Sequence, residues 1–220
     1  MDIAVIGTGN VGRTLAAGLA GAGHTVTLAS RTPDRPDLTD WGAGASVGLG
    51  PIGPAAAGAE AVVLATAWDG VPEAVAAAGA GGALDGKVLI DVTNPLRFTD
   101  RLELAVGHTD SGGETVQRLA PGARVVKAFN TVGWELMVSP AVAGGPPTMF
   151  VAGDDPEARG VAAGLAAALG WGVHDCGDLR AARLLEPMAL VWIEHALRTG
   201  SRGHAFRLLG TEAVGGTVAP

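Results

Sequence analysis

The chain has 220 residues, of which 48% are hydrophobic, so it can bury a large core as one domain or one domain with an appendage. Its formal net charge of −7 gives no basic footprint, and we therefore expect no nucleic-acid partner. The single cysteine, Cys176, cannot form an internal disulfide, and no Cys/His cluster has the spacing of a zinc site.

The opening of the chain predicts a dinucleotide-binding unit. Residues 2–6 are a short apolar run typical of a strand buried on both faces, and residues 24–29 form a second β-prone run. Between them, Gly7, Gly9 and Gly12 have G-x-G-x-x-G spacing and lead into a helical run. These glycines provide a tight turn, close approach to a pyrophosphate and close helix–strand packing. The predicted phosphate-binding residues are Gly7, Thr8, Gly9, Asn10, Val11 and Gly12.

The end of the second predicted strand favours NADP(H) over NAD(H). An NAD site normally places Asp or Glu there to bond the ribose 2′-hydroxyl, whereas an NADP site uses Arg. This chain has Ser30 and Arg31 instead, and a guanidinium can bind a 2′-phosphate through two parallel hydrogen bonds. Arg35 is a second candidate, although Asp34 and Asp37 flank it and could pair with it.

The rest of the chain alternates strands with helices as far as His174. We expect a polar loop after Arg35, and residues 97–113 form an excursion longer than a usual connection, which makes them a candidate functional loop. We therefore predict an α/β fold with a Rossmann-type, doubly wound, mostly parallel sheet of about eight strands. The remaining strands are expected at residues 45–48, 61–66, 87–91, 124–128, 148–152 and 171–174.

From Asp178 onward the pattern changes to helix only. We predict a dinucleotide-binding domain over residues 1–177 and a helical appendage, not an independent domain, over 178–220. The tail after Gly210 is predicted to be mobile or exchanged between subunits. The helix should pack one broad apolar face over the sheet edge or a second subunit, a face formed by Leu184, Leu185, Met188, Val191, Trp192, His195 and Ala196.

Two features bear on the location of the protein. The chain opens directly with a charged residue and a strand, which predicts no signal peptide. No segment offers about twenty uninterrupted apolar residues, so we expect no membrane span. A cytoplasmic protein with no membrane partner is the resulting expectation.

The carboxyl ends of the predicted strands mark the ligand site, because ligands of open α/β sheets lie beyond them. Thr66, Ala67 and Trp68 follow one strand and should lie beside the ribose and the nicotinamide. Asn94 and Pro95 follow the next strand and should shape the side that accepts the hydride. Two residues of a third strand end complete the predicted constellation: Ala128 and Asn130.

No catalytic acid or base and no metal ligand is predicted at these strand ends. His174 and His195 are more typical of partly buried structural histidines, and the role of Lys127 stays open. This lack is informative, since hydride transfer between a nicotinamide and a flavin-like ring needs positioning and stacking rather than a side-chain acid.

The motifs above resemble those of the NADPH-dependent coenzyme F420 reductases. Relatives of that family include bacterial NADP-binding oxidoreductases and the cytosolic domain of transmembrane metalloreductases. The resemblance covers nearly the whole chain, and its glycine turn is common to many Rossmann enzymes, whereas the later motifs are more specific. The residues that carry it are 7–12, Ser30 and Arg31, 94–96, 127–131 and the helical stretch 182–188.

The resemblance implies hydride transfer between NADP(H) and the deazaflavin F420, whose ring stacks on the nicotinamide in a cleft at the strand ends. It also implies one Rossmann domain with a short helical end, and a homodimer. The acceptor pocket that it implies is lined by Leu96, Phe129, Thr131, Val132, Pro187 and Met188.

Several acceptors stay open at this point. Phe129-Asn130-Thr131 follows the bacterial and metalloreductase branch, so a flavin or a small imine or carbonyl compound could replace F420. A β-hydroxyacid or imine reductase would need a larger helical domain than the residues after Asp178 provide. A ferric reductase-like enzyme and a non-catalytic NADP-binding sensor also stay open.

Overall fold

Apolar runs form the centre of an eight-stranded sheet in the computed structural model, which describes residues 1–210. The elements are β1 (Asp2–Ile6), α1 (Asn10–Gly21), β2 (Thr25–Ser30), α2 (Pro36–Ala45), β3 (Gly48–Pro51), α3 (Ile52–Gly58), β4 (Ala61–Leu64), α4 (Val71–Ala78), β5 (Val88–Asp91), β6 (Leu96–Phe98), β7 (Leu102–Leu104), α5 (Gly112–Leu119), β8 (Arg124–Lys127), β9 (Thr148–Gly153), α6 (Pro156–Ala168), β10 (Gly172–Asp175) and α7 (Ala182–Thr199). The strand order is β10-β9-β8-β5-β4-β1-β2-β3, and the neighbours are parallel except for the antiparallel pair β8–β9. The predicted mostly parallel, doubly wound sheet is confirmed.

Strand register brings the predicted strand ends to one edge of the sheet. Ile6 is paired with Ala29 of β2 on one side and with Leu64 of β4 on the other. Leu64 is paired in turn with Asp91, and Asp91 with Lys127 of β8. The carboxyl ends of β1, β2, β4, β5 and β8 therefore stand side by side.

Alternate side chains of the central strands fill two cores, one on each face of the sheet. Val5 and its neighbours pack beneath α1 and α6, where Leu15 and Leu165 are buried. Ile6 points to the opposite face, which α3, α4 and α5 cover with residues such as Val75. Burial on both faces explains why these strands are continuously apolar.

Residues 36–45 correct the prediction of a polar loop after Arg35, because they form helix α2. Pro36 stands in the first turn with Asp37, a combination that favours a helix start, and Leu38 is fully buried against the sheet. The strand predicted at residues 45–48 is displaced as a result, and β3 begins at Gly48.

The predicted excursion at residues 97–113 contains local structure of its own. β6 and β7 pair as an antiparallel hairpin, with Leu96 opposite Leu104. Helix α5 then begins at Gly112, within the predicted excursion, and Ser111 caps it by accepting a hydrogen bond from the Glu114 N–H.

The C-terminal helix α7 packs against α5 and β7, and its apolar residues divide between two sides. Leu185, Trp192 and Ala196 are buried, whereas Leu184 and Val191 are 73% and 60% exposed. Within a single chain the predicted apolar face is therefore covered only in part, because these residues span more of the helix circumference than one contact covers, and its packing against a second subunit stays a prediction.

The chain after α7 returns to the edge of β9, where the Thr148 N–H donates to the Phe206 carbonyl at 2.9 Å. The tail predicted after Gly210 lies outside the described residues. Within residues 1–210, no helix combines the length and apolarity needed to cross a membrane.

Candidate active site at the strand ends

Two of the three motif glycines are fixed by backbone geometry. Gly7 has φ +124°, and a Cβ there would overlap the Ala65 carbonyl oxygen. A Cβ on Gly12 would overlap the Gly7 carbonyl oxygen, so helix α1 can pack on the turn only with glycine at this position. No atom of residues 1–210 lies within 4 Å of the Cβ position of Gly9, which faces open space in this part of the chain.

The N-terminus of α1 is suited to bind an anion. Gly9 at the N-cap position provides no side-chain hydrogen bond, and the first turn holds no acidic residue. Within residues 1–210, the N–H groups of this first turn therefore have no side-chain acceptor. The helix dipole adds positive potential at the same end of α1. This arrangement, with the open space above Gly9, suits a pyrophosphate.

A cleft of about 410 Å³ runs from this turn to the end of β2. Glycine-turn residues form one end of the cleft, and Ser30 with Arg31 forms the other. The structure thus brings together residues predicted from two separate motifs. The lining is Ile6, Gly7, Thr8, Gly9, Ala29, Ser30, Arg31, Thr32, Arg35, Ile52, Ala65, Thr66, Ala67, Gly70, Glu73, Ala74 and Ala77.

The two candidate arginines differ in their partners. Arg31 is exposed at the rim, and its Nη1 donates to the Glu73 Oε2 atom on α4 at 3.0 Å. Arg35 donates from Nε and Nη2 to Asp37, which also accepts from Arg13. Hydrogen bonds from Arg13 and Arg35 hold the pKa of Asp37 below its usual value. Arg31 is therefore the more available of the two for a phosphate.

A second cleft, of about 430 Å³, continues from the first across the ends of β4 and β5. Thr66 and Ala67 line both clefts, and the Thr66 Oγ1 atom is buried without a hydrogen-bond partner among the described residues. Asp69 is the one ionisable residue in this lining, within the described chain. The lining is Gly9, Asn10, Val11, Ala65, Thr66, Ala67, Trp68, Asp69, Val92, Thr93, Asn94 and Leu96.

Together the two clefts fit a bound dinucleotide. The turn offers an anion-binding helix start, Arg31 offers a cation for a 2′-phosphate, and the buried Thr66 hydroxyl is a hydrogen-bonding group that lacks a partner within residues 1–210. The second cleft then has room for a ring beyond the phosphates.

Asn94 and Asn130 form a reciprocal amide pair at the wall of the second cleft. Asn94 Nδ2 donates to the Asn130 carbonyl at 2.9 Å, and Asn130 Nδ2 donates to Asn94 Oδ1 at 3.0 Å. Asn130 Nδ2 also lies 3.1 Å from the Leu185 carbonyl of α7. Asn130 is buried behind Asn94 rather than in the cleft lining.

The other residues expected on the acceptor side do not line either cleft. Phe129 has φ +59°, and its side chain packs in the core. Its N–H points to the Met149 Sδ atom at 3.2 Å. Ala128, Thr131 and Val132 are buried nearby, Pro95 is buried between the strand end and α5, and Pro187 and Met188 are half-buried on α7.

A buried charged cluster behind the second cleft was missed by the sequence analysis. Lys127 Nζ lies 2.6 Å from Asp91 Oδ2 and 2.8 Å from Glu186 Oε1, and all three side chains are fully buried. Burial alone would lower the pKa of Lys127, but the two carboxylates outweigh it and raise the pKa, so the ammonium stays charged. The position of Lys127 at a strand end was the available signal.

The glycine turn, the uncapped helix start and the joined clefts define a Rossmann-type dinucleotide-binding protein. Residues 2–95 match the family model described as NADP oxidoreductase, coenzyme F420-dependent. The chain is 41% identical to a proposed F420-dependent NADP reductase from Arthrobacter sp. FB24, with a TM-score of 0.89 over 96% of this chain and 100% of that one. The chain belongs to this family, as its motifs predicted, and is an NADP-dependent oxidoreductase.

Two further relatives show how widely the fold is used. A hypothetical protein of Sinorhizobium meliloti, SMa0349, is 30% identical, with a TM-score of 0.69 over 83% of this chain and 87% of that one. The metalloreductase STEAP3 of Rattus norvegicus is 31% identical over 192 residues. That match covers 86% of this chain but 36% of the rat protein, so the chain spans about a third of its relative's length.

Proposed function

We propose that this protein transfers a hydride between NADP(H) and a deazaflavin of the F420 type, or a flavin-like ring, stacked on the nicotinamide in the second cleft. The observation that carries the proposal is the second cleft itself. Apolar, amide and hydroxyl groups dominate it, with Trp68 and Leu96 as flat or apolar surfaces for a ring. Family membership supports the same reaction.

The chain's own residues would bind and orient both partners. The start of α1, with Thr8 and Asn10, would hold the pyrophosphate, while Ser30 and Arg31 would hold the 2′-phosphate. NADPH supplies the hydride, and the proton that completes the reduced acceptor comes from solvent.

The acceptor side would be shaped by Asn94, whose amide is fixed by Asn130. A preformed wall of this kind lowers the cost of aligning two rings. The residues implied by the family resemblance would support that wall from behind rather than touch the acceptor: Phe129, Thr131, Val132, Pro187 and Met188.

The acceptor can be tested directly by mixing the purified protein with NADPH and F420, then with FMN or FAD, and following the nicotinamide and deazaflavin absorbance bands. We expect rapid oxidation of NADPH with F420. Turnover with FMN or FAD alone would replace F420 by a flavin. Tight NADPH binding with no turnover of any ring would overturn the proposal and favour a sensor or a small-molecule reductase.

A small imine or carbonyl acceptor is the second candidate, and Asp69 is the observation that favours it. Asp69 is an exposed carboxyl group in the lining of the second cleft, where it could take part in proton transfer to a reduced carbonyl or imine. Asp69→Asn should then abolish reduction of such compounds. The same variant should leave hydride transfer to F420 within about twofold, because a ring acceptor needs no side-chain acid.

We also propose that the protein is a homodimer, formed through the outer side of α7. Leu184, Met188, Val191 and His195 recur on that side at helical spacing, and Leu184 and Val191 are largely exposed. Analytical ultracentrifugation should give a dimer for the native chain and a monomer for Val191→Glu. A native monomer would contradict this proposal. The cytoplasmic location expected from the sequence stays a prediction.

A further inference from the structure

Three oxygen atoms surround the ammonium group in the buried cluster of Asp91, Lys127 and Glu186. Lys127 Nζ approaches Asp91 Oδ2 and Glu186 Oε1, as described above, and donates to the Thr93 carbonyl at 2.8 Å. Asp91 Oδ1 accepts from the Thr93 N–H at 2.9 Å and from its Oγ1 at 2.7 Å. The cluster therefore holds Thr93 by three separate bonds.

Glu186 connects the same cluster to two helices. It lies on α7, yet its carboxylate accepts the Gly112 N–H at 2.8 Å and the Gly113 N–H at 3.0 Å. These are N–H groups of the first turn of α5, so the dipole of α5 offsets part of the extra negative charge. α7 is thus fixed to α5 by a buried carboxylate.

The cluster lies directly behind the second cleft. Thr93 lines that cleft, and Asn94 follows it. A Cβ on Gly112 would lie 2.9 Å from Glu186 Oε1, 3.1 Å from Trp68 Cζ3 and 3.2 Å from Pro95 Cδ. The cleft residue Trp68, the Pro95 turn and the charged cluster consequently meet around one glycine.

Burying charged groups is an energetically unfavourable way to stabilise a core. Removing each of the three charges from water is unfavourable, and apolar replacements of similar volume are often neutral or stabilising. Stability alone therefore gives little reason for a charged cluster at this position, whereas its directional bonds can fix one conformation of the Thr93 turn.

We propose that Lys127 is a positioning residue for hydride transfer: with Asp91 and Glu186 it locks the Thr93–Leu96 turn and α7 into one arrangement. The wall of the acceptor cleft is then preformed before the acceptor binds. This inference rests on the proposed function, because it assigns the second cleft to the acceptor. It makes no use of Lys127 as an acid or a base.

The test variant replaces all three charges with neutral groups of similar size: Asp91→Asn, Lys127→Met and Glu186→Gln together. The matched control is Glu114→Gln with Arg183→Met, which removes an ion pair between α5 and α7, at 2.6 Å, without touching Thr93. Each protein is measured for its thermal midpoint, its Kd for NADPH by nicotinamide fluorescence and its single-turnover rate of hydride transfer to F420.

We expect the triple variant to bind NADPH within about threefold of the native protein, because the first cleft, where the 2′-phosphate and the pyrophosphate would bind, is unchanged. Its transfer rate should fall about tenfold to a hundredfold and should not recover at saturating acceptor, since a misplaced reacting pair loses rate on this scale. The control should keep the native rate. An unchanged rate in the triple variant would overturn the proposal, and so would an equal loss in the control.

Hydrogen exchange at residues 92–97 gives a readout that needs no acceptor. The triple variant should exchange these amides faster than the native protein, and the control should not. Unchanged exchange contradicts the proposed locking of the Thr93–Leu96 turn even if the native protein fails to reduce F420. Failure of this inference and failure of the proposed function are therefore distinguishable.

Thr93→Val is the second variant, for use if the triple variant does not fold. It removes only the hydroxyl bond to Asp91 and should give about a threefold to fivefold rate loss, with the same faster exchange at residues 92–97. A native rate and native exchange in Thr93→Val would overturn the proposal.

Discussion

Arg31 and Glu73 face each other across the rim of the first cleft, with 3.0 Å between Arg31 Nη1 and Glu73 Oε2. Both side chains are mostly exposed, at 74% and 67%, so the ion pair adds little to stability. Its importance lies in its place, because an arriving 2′-phosphate would compete with the carboxylate for the same guanidinium.

Arg31→Ala should raise KM for NADPH about tenfold to a hundredfold, while KM for NADH changes less than about twofold. The physical reason is that only NADPH carries the phosphate that the guanidinium would bind. Steady-state kinetics with the two nucleotides makes the measurement. Arg35→Ala is the control, and it should have a smaller effect because Arg35 is engaged by Asp37. Equal changes for NADPH and NADH would contradict the assignment.

Glu73→Gln should lower KM for NADPH about twofold to fivefold, in the opposite direction to Arg31→Ala. The substitution removes a negative charge that repels the phosphate and occupies Arg31, and solvent screening at the rim keeps the gain small. The effect should shrink at high ionic strength. In an Arg31→Ala background the benefit should be smaller, and an equal benefit there would show that Glu73 acts without Arg31.

Substitution of the three motif glycines should affect different properties, with some positions needed for stability and others for NADPH binding. Gly9→Ala should keep the native thermal midpoint, since none of the described residues comes within 4 Å of its Cβ position. The substitution should nevertheless weaken NADPH binding at least about tenfold by filling the space for the pyrophosphate. Gly12→Ala should lower the midpoint sharply, because its Cβ would overlap the Gly7 carbonyl oxygen. Differential scanning calorimetry and NADPH titration test both. Native NADPH affinity in Gly9→Ala would contradict a phosphate site above the turn.

The sequence predicted those parts of the molecule that depend on local pattern. The glycine turn, the apolar central strands and the meeting of their ends follow from residue order together with the general rules for parallel sheets. Helix α2 was missed although Pro36 and Asp37 are start signals, because its single fully buried Leu38 gives almost no apolar period.

The sequence pattern could not predict contacts between segments that are far apart along the chain. Glu186 lies among apolar residues of α7, and nothing near it indicates that Lys127 and the start of α5 will surround it. Phe129 shows the same limit, since its left-handed conformation and its place in the core depend on how β8 leaves the sheet. A sequence motif can predict which segments form a site, whereas the packing of the folded chain determines which side chains face the ligand.

The ion pair between Glu114 and Arg183 should make the attachment of α7 sensitive to acid. Hydrogen bonds from Arg183 at 2.8 and 2.6 Å hold the pKa of Glu114 below its ordinary 4.5, against the opposing effect of partial burial. A carboxylate with a depressed pKa in the folded state contributes stability above the unfolded pKa, and that stability is lost as the pH falls through the folded pKa. We expect Glu114→Gln to lower the thermal midpoint by a few degrees near pH 7, with the difference from the native protein shrinking as the pH falls below 4.5 and disappearing below the lowered pKa of Glu114. In an Arg183→Met background the same substitution should give no such pH-dependent difference, and a difference of native size there would contradict the pairing.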